Sequence, residues 1–363
     1  MTTPAPRHAP GDDGARARAL DVVALGESMV TFLPTRPGRL ADVPSFDRAI
    51  GGAESNVACM LAAAGHRVRW VSRVGTDGFG DHLVETVGSY GVDVTRVQRD
   101  PDRPTGVYFR TAGDRGTDAH EVAYYRAGSA ASAMSPATVD LAAARAGRVL
   151  HLSGITAALS DGCRELLHEL TAPGPGRPLV SFDVNHRPGL WRSPADAREL
   201  LELARRADIV FVGADEARDA WGLHGARAIA EALPEPALLV VKLGRGGAVV
   251  LDKEPPKDAE DATGTATLVR PPRVDVVAAV GAGDAFAAGF LSATLRGLPL
   301  TARLRHGHLW AAAALTTPGD LAAPPGRAHA DRLAAVDDTA WGTLRLGPGW
   351  THAEQAEEEG ATP

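Results

Sequence analysis

Two textures of hydrophobic patterning alternate along this chain. Short, nearly continuous apolar runs at 22–25, 68–71, 149–152, 179–184, 209–212, 238–243 and 248–251 are separated by Ala/Leu-rich stretches of helical character. Such runs suit strands buried on both faces, so they predict an α/β fold with a largely parallel sheet covered by helices. At 30–33, 105–111 and 120–126 apolar and polar residues alternate instead, as in strands with one face solvated or turned to a ligand. These predict a small second sheet placed as a lid, with strands near 29–50 and 104–127. The stretch 252–267, where Pro255-Pro256 precedes charges and Thr/Gly, predicts an extended surface loop. Residues 1–20 and the acidic end 351–363 predict disordered tails flanking one domain at 21–350.

Composition narrows the function classes. At 363 residues and 44% hydrophobic content, the chain can bury one large α/β core or two ordinary ones without a disulfide or metal. Cys59 and Cys163 lack CxxC or metal spacing and lie in apolar helical patterns, so buried thiols in a reducing compartment are expected. No apolar run approaches a membrane span, and residues 1–20 lack the hydrophobic stretch of a secretory signal. The expectation is a cytoplasmic protein with no membrane partner. A formal charge of -7 offers no basic footprint for nucleic acid, which leaves small-molecule chemistry favoured.

The candidate chemistry centres on Gly281-Ala282-Gly283-Asp284-Ala285-Phe286. An apolar, β-rich run at 274–280 precedes it, and Phe286, Phe290, Leu291, Thr294 and Leu295 fall on one helical stripe that Gly297 closes. Unpaired N–H groups at that helix start form an anion site which the glycines let a phosphate approach closely. Asp284 would point at the same spot. A carboxylate there is electrostatically unwelcome unless it takes a proton from a hydroxyl attacking the phosphate, and the competing reading is a helix N-cap. Gly51-Gly52-Ala53-Glu54-Ser55-Asn56 opens a second helix, with Asn56 able to donate to and accept from a polyol. In the lid texture Tyr124 and Arg126 share a face, Tyr125 takes the other, and Tyr108 points opposite to Val107 and Phe109. Tyrosines plus arginine suit a hydroxylated carboxylate, although aromatics on strands also serve packing.

Ser181-Phe182-Asp183-Val184-Asn185-His186-Arg187 ends a strand, where ligands gather in open α/β sheets. Asn185 and Arg187 could reach phosphate or substrate there, with a surface ion pair as the alternative for Arg187. Lys242-Leu243-Gly244-Arg245-Gly246-Gly247 reads most simply as a hairpin turn. No GxxxxGK[ST] occurs, and no Gly-x-Gly-x-x-Gly follows a strand. His306 and His308 do not face one way on a helix, which argues against a metal site.

Taken in order, Gly51-Gly52-Ala53-Glu54-Ser55-Asn56, Gly75-Thr76-Asp77-Gly78-Phe79-Gly80, Pro104-Thr105-Gly106 and Gly281-Ala282-Gly283-Asp284 resemble the ribokinase-like (PfkB) carbohydrate kinases over roughly 22–325. The strings Tyr124-Tyr125-Arg126-Ala127-Gly128-Ser129, His151-Leu152-Ser153-Gly154-Ile155 and Asp183-Val184-Asn185-His186-Arg187 look most like the 2-keto-3-deoxygluconate kinases of that family. The resemblance implies a three-layer α/β/α core with a small β-sheet lid, and ATP and Mg2+ as cofactors. It implies Asp284 as general base, with the amides of Gly281, Ala282 and Gly283 stabilising the transferring phosphoryl group. A sugar acid would meet Gly52, Asn56, Tyr108, Tyr124, Arg126, Arg187 and Asp320, and ATP would meet Asn185, Arg187, Lys242, Gly244, Gly247, Gly281 and Gly283. Where the family usually carries Asn-x-x-Glu, Gly213 replaces the Asn and Glu216 remains as an indirect metal residue. Ala278-Ala279-Val280 stand where many members read Asp-Thr-Thr, so a potassium ion held there is not expected. The expected reaction is phosphorylation of 2-keto-3-deoxygluconate to its 6-phosphate, in a homodimer joined through the lid strands. Buried Arg126 and Arg187 would favour an acid, whose carboxylate supplies a counter-charge. The alternatives are a kinase for a neutral sugar or nucleoside, of fructokinase or ribokinase type, and a non-catalytic sugar-binding homologue.

Overall fold

A computed structural model describes residues 20–111, 121–191, 193, 196–253, 265–319 and 321–352. Of the two expected tails it includes only Leu20, Thr351 and His352. The chain opens with β1 (Leu20–Leu25), β2 (Met29–Pro34) and β3 (Phe46–Gly51), followed by α1 (Ala53–Ala63), β4 (Val68–Gly75), α2 (Gly78–Ser89) and β5 (Asp93–Asp100). Strands β6 (Val107–Arg110) and β7 (Val122–Tyr125) lead to the helical turn α3 (Leu141–Ala144). Next come β8 (Gly147–Ser153), α4 (Gly154–Leu159), α5 (Asp161–Thr171), β9 (Leu179–Asp183), α6 (Arg198–Arg205), β10 (Ile209–Gly213), α7 (Ala214–Trp221) and α8 (Gly225–Ala232). Strands β11 (Leu238–Lys242), β12 (Ala248–Asp252) and β13 (Thr265–Val269) precede α9 (Ala282–Leu295), α10 (Leu300–Leu315) and α11 (Arg327–Ala335).

Nine strands form one sheet in the order β13-β12-β11-β10-β9-β8-β1-β4-β5, parallel from β11 to β5 and antiparallel at β12 and β13. The apolar runs form its strands, and β1 shows why they are continuous. Val22 and Ala24 enter a core shared with α1, α9 and α10, while Val23 and Leu25 enter a second core with α5 and α6 on the opposite face. A strand covered on both sides has no position left for a polar residue, so the period-2 signal disappears. The resulting three layers direct the carboxyl ends of β1, β8, β9, β10 and β11 to one edge of the molecule.

Helix α9 is aimed at that edge by its packing. Phe290 meets Phe211 of β10 edge-on at 5.4 Å, which seats the helix on the sheet. Glycines let α10 approach: a side-chain carbon at Gly289 would lie 2.5 Å from the His306 carbonyl oxygen, and one at Gly307 would lie 2.8 Å from the Phe286 ring. At the other end Gly281, at φ 75, makes the left-handed turn that starts the helix.

The small sheet has the order β3-β2-β6-β7, with β2 and β6 parallel and the outer pairs antiparallel. Tyr108 lies in register with Tyr124, their rings 5.5 Å apart. On the other face Phe109 contacts Phe32 at 4.7 Å, Phe46 at 5.2 Å and Tyr125 at 5.9 Å. Cys59 and Cys163 are unpaired and buried. Among the described residues no helix is long and apolar enough to cross a membrane.

Two local expectations are corrected. The stretch 252–267 is not all loop: Asp252 ends β12, and Thr265 begins β13, which pairs with it. Thr265-Ala266-Thr267-Leu268-Val269 forms an edge strand whose outer face, including half-exposed Leu268, stays open, so its sequence looks polar. The run 274–280 is not a strand into α9. Only Arg273–Val274 pairs, with Arg345–Leu346, because the N–H groups of Val277 and Ala278 are drawn to the Leu315 carbonyl at the end of α10.

Candidate active site

The carboxyl ends of the central strands and the start of α9 enclose a cluster of ionisable side chains. Asp284, in the first turn of α9, accepts a hydrogen bond from Asn56 Nδ2 in the first turn of α1, at 2.8 Å. Two helices far apart in sequence are thereby joined at their positive ends. Burial pushes the Asp284 carboxyl up to about 7, with Asp183 adding to the rise, while Asn56, Arg187 and Lys242 oppose it. A carboxyl balanced near neutrality can accept a proton and release it again at ordinary pH, which general-base work requires.

Lys242, the last residue of β11, donates to both carboxylate oxygens of Asp183 at 3.0 Å each. Burial opposes its charge, but Asp183 and Glu216 hold the amine above its ordinary value, so it stays protonated. Its Nζ lies 3.7 Å from where a side-chain carbon on Gly283 would stand. A cation beside the positive end of a 14-residue helix is unfavourable unless an anion is received between them. Glu216, raised chiefly by burial, accepts from the Gly213 N–H at 2.7 Å and lies 3.7 Å from half-exposed Arg187. The replacement of Asn by Gly at 213 thus leaves Glu216 anchored by backbone. Asn185, buried after β9, is the one non-glycine residue among those described with positive φ, at 41. Such strain marks a side chain whose direction is imposed by its surroundings.

On the sugar-binding side expected from the sequence, Arg126 lies 5.8 Å from the Tyr124 ring centre and forms an ion pair with Glu27 just past β1. Ser129 Oγ donates to Glu27 Oε1 at 2.6 Å. Gly52 caps α1 at extended backbone. Its lack of a side chain admits close approach, since an added carbon would meet the Glu27 carbonyl oxygen at 2.4 Å. Several buried polar atoms around this floor have no hydrogen-bond partner: Asn56 Oδ1, Thr31 Oγ1, Arg126 Nε and Glu54 Oε2. Each unmet group costs about 1–3 kcal/mol, and a polyhydroxylated ligand would recover part of that cost.

The structure therefore brings together Asp284, Asn56, Lys242, Arg187 and Glu216, with Gly281, Ala282 and Gly283 at the helix start. Tyr108, Tyr124 and Arg126 line the neighbouring face of the small sheet. Gly244 and Gly247 occupy the hairpin turn after β11, where Gly247 also has a packing role against the Val269 carbonyl oxygen. Asp320 lies outside the described residues. The expectation that buried Arg126 and Arg187 wait for a substrate counter-charge is corrected: Glu27 already neutralises Arg126, and Arg187 is half-exposed beside Glu216. The sequence motifs omit Glu27 and contain Asp183 and Glu54 without assigning them a role. All three are carboxylates next to apolar strands or inside glycine motifs, a placement that is itself a signal because burial of an acid needs a reason. His306 pairs with Asp331 and His308 Nε2 lies 2.9 Å from the Val269 carbonyl, so the two serve separate structural contacts. Two hollows lie away from this cluster, one of about 150 Å³ among α1, α9, α10 and α11 and one of about 450 Å³ at the amino ends of β9, β10 and β11.

Comparison with known proteins gives the same direction. The pfkB family carbohydrate kinase pattern matches residues 19–325. The 2-dehydro-3-deoxygluconokinase of Bacillus subtilis (strain 168) is 35% identical over 315 residues, which cover 85% of this chain and 93% of that protein. The probable chloroplastic fructokinase-6 of Arabidopsis thaliana is 30% identical over 297 residues, 79% of this chain and 73% of that protein. An uncharacterized sugar kinase from Pyrococcus horikoshii, solved in complex with ATP, superposes with a TM-score of 0.72 at 25% identity, over 84% of this chain and 95% of that one.

The Lys242–Asp183 pair can be tested by unfolding. Lys242→Met leaves a nearly buried Asp183 without its donors and should cost about 3–5 kcal/mol in urea denaturation. Adding Asp183→Asn should restore part of the loss. Strictly additive costs would show that the two side chains are not coupled.

Proposed function

We propose that this chain, which belongs to the pfkB family of carbohydrate kinases and is an ATP-dependent sugar kinase, phosphorylates the 6-hydroxyl of 2-keto-3-deoxygluconate (2-dehydro-3-deoxygluconate). The observation that carries the reading is Asp284, held by Asn56 at the start of α9 with Lys242 beside the same amides. Asp284 accepts the hydroxyl proton as that oxygen forms its bond to the γ-phosphorus, and the bond from phosphorus to the ADP oxygen breaks. The N–H groups of Gly281, Ala282 and Gly283 receive the charge on the transferring group, with Arg187 and Lys242 facing it. Asn185, Gly244 and Gly247 lie on the side assigned to the nucleotide.

Among the described residues no three His, Cys, Asp or Glu side chains form a metal cluster. Mg2+ commonly needs only one or two carboxylates together with substrate phosphates, so Glu216 fits as an indirect protein partner, while both oxygens of Asp183 are taken by Lys242. The ion would supply neutralisation of phosphate charge. ATP as co-substrate suits a cytoplasmic location.

The sugar-acid assignment is supported by the deoxygluconokinase relative and by Arg187, whose ion pair with Glu216 is loose enough to be shared with a substrate carboxylate. Gly52, Asn56, Tyr108, Tyr124 and Arg126 would meet its hydroxyls, with Asp320 assigned to the sugar on sequence grounds. A neutral sugar such as fructose is the second reading, favoured by one observation: Arg126 is already neutralised by Glu27. The aromatic outer face of the small sheet, with Tyr125 66% exposed, supports a homodimer formed through that sheet. Sedimentation equilibrium should give twice the mass of one chain, and a monomer at micromolar concentration would reject the dimer.

An ADP-release screen over keto-deoxy sugar acids, fructose, ribose and nucleosides, with mass spectrometry of the product, tests the substrate. We expect kcat/KM for 2-keto-3-deoxygluconate to exceed that for fructose at least about tenfold, the equivalent of one well-placed polar contact. Faster turnover of fructose or ribose would reject the sugar-acid assignment.

A further inference from the structure

We propose that Glu54 is a positioning residue, a buried carboxyl that clamps the first turn of α1 to α4 and so holds Asn56 against Asp284. The inference rests on the kinase reading of Asp284. Glu54 is 1% exposed. Thr156 Oγ1, itself buried in α4, donates to Glu54 Oε1 at 2.7 Å. The carboxyl fills the space over Gly26 just past β1, where a side-chain carbon would stand 2.1 Å from the Glu54 carboxyl carbon. Gly26 cannot move away, because its carbonyl accepts from Trp70 Nε1 at 3.2 Å and Ser72 Oγ at 2.7 Å. Glu54 is therefore wedged between three elements that end at the same site. Asn56 is two residues farther along the same helical turn, and its amide has Asp284 as its hydrogen-bond acceptor.

The charge state follows from what faces the carboxyl. Asp284 projects from α9 and Arg126 from the segment after β7, while the Cys163 thiol approaches from α5. Arg126 is engaged by Glu27, so an ionised Glu54 would meet the like charge of Asp284 without a counter-ion of its own. Its Oε2 has no hydrogen-bond partner, and an unmet neutral hydroxyl costs far less than an unmet charge. Burial, the largest influence, pushes the group up to about 8, against the weaker pull of Thr156.

Because the folded-state value is raised, Glu54 adds stability below the ordinary carboxylate range and loses it as pH rises through about 8. Over the same interval the new negative charge should loosen Asn56 and repel anionic substrates. We expect kcat/KM of the wild-type enzyme to fall about fivefold between pH 7 and pH 9, the tenfold loss from a group near 8 being offset about twofold as Asp284 ionises near 7. In Glu54→Gln, which keeps the shape and cannot ionise, that fall should be absent, and the urea midpoint should decline less over the same range. An equal alkaline fall in the variant, or none in the wild type, would overturn the proposal. Should Glu54→Gln fail to fold, the carboxyl 13C shift of Glu54 in the wild-type protein decides: a protonated signal at pH 7 titrating near 8 supports the clamp, and an ionised signal from pH 6 to 9 overturns it. The unfolding and carbon-shift readouts need no substrate, so failure of the kinase reading, seen as no turnover on any sugar, remains distinguishable.

Discussion

The start of α9 is where the demands on this fold meet. A 14-residue helix presents unpaired amides there, and Lys242 adds a full positive charge beside them. The arrangement becomes favourable when an anion arrives, and until then Asp183 holds the lysine in place. Asp284 stands within the same field, yet burial outweighs the surrounding cations and leaves its carboxyl near neutrality. On the proposed function, one piece of backbone would thus supply both a phosphate site and a proton acceptor, and the packing around it sets its direction. The Phe211–Phe290 contact and the glycine-mediated approach of α10 fix the helix direction, while Asn56 fixes the carboxylate.

The small sheet adds a second layer of control. Its inner face carries Tyr108, Tyr124 and Arg126 toward the floor formed after β1 and at the start of α1. Glu27 and Ser129 bind this layer to the core through buried contacts that bring Arg126 into place. Truncating one partner of such a pair would strand the other charge, so the lid is tied to the floor more firmly than its four short strands imply. Asn56, Thr31 and Arg126 nearby keep polar atoms without hydrogen-bond partners, which on the proposed function a hydroxylated ligand would meet.

Much of this was legible in the sequence, for identifiable reasons. Continuous apolar runs disclosed the central strands because burial on both faces removes polar positions, and the glycine at 281 disclosed the turn into α9 because a left-handed residue is needed there. Asp284, Asn56 and Arg187, which the structure brings together, lie in short motifs whose neighbours are close in sequence. What escaped depended on contacts across long separations. Glu27 meets Arg126 only after β1 and the small sheet come together, and Glu54 meets Thr156 across 102 residues. Edge strand β13 looks like loop because its outer face is open, and 274–280 looks like strand because it is mostly apolar, although its backbone is held by the end of α10 instead of a neighbouring strand. Local pattern reports burial, whereas charge pairing is a property of the assembled fold.

The central claim is that Asp284 acts only as the phosphate is transferred. Replacing Asp284 by Asn keeps the size of the side chain and removes its basicity, so the variant isolates that role. We predict that kcat falls about 10²–10⁴-fold, while calorimetric affinities for the sugar and for a nonhydrolysable ATP analogue change less than about threefold, as for an interaction made chiefly in the transition state. Turnover within about threefold of wild type would contradict the account.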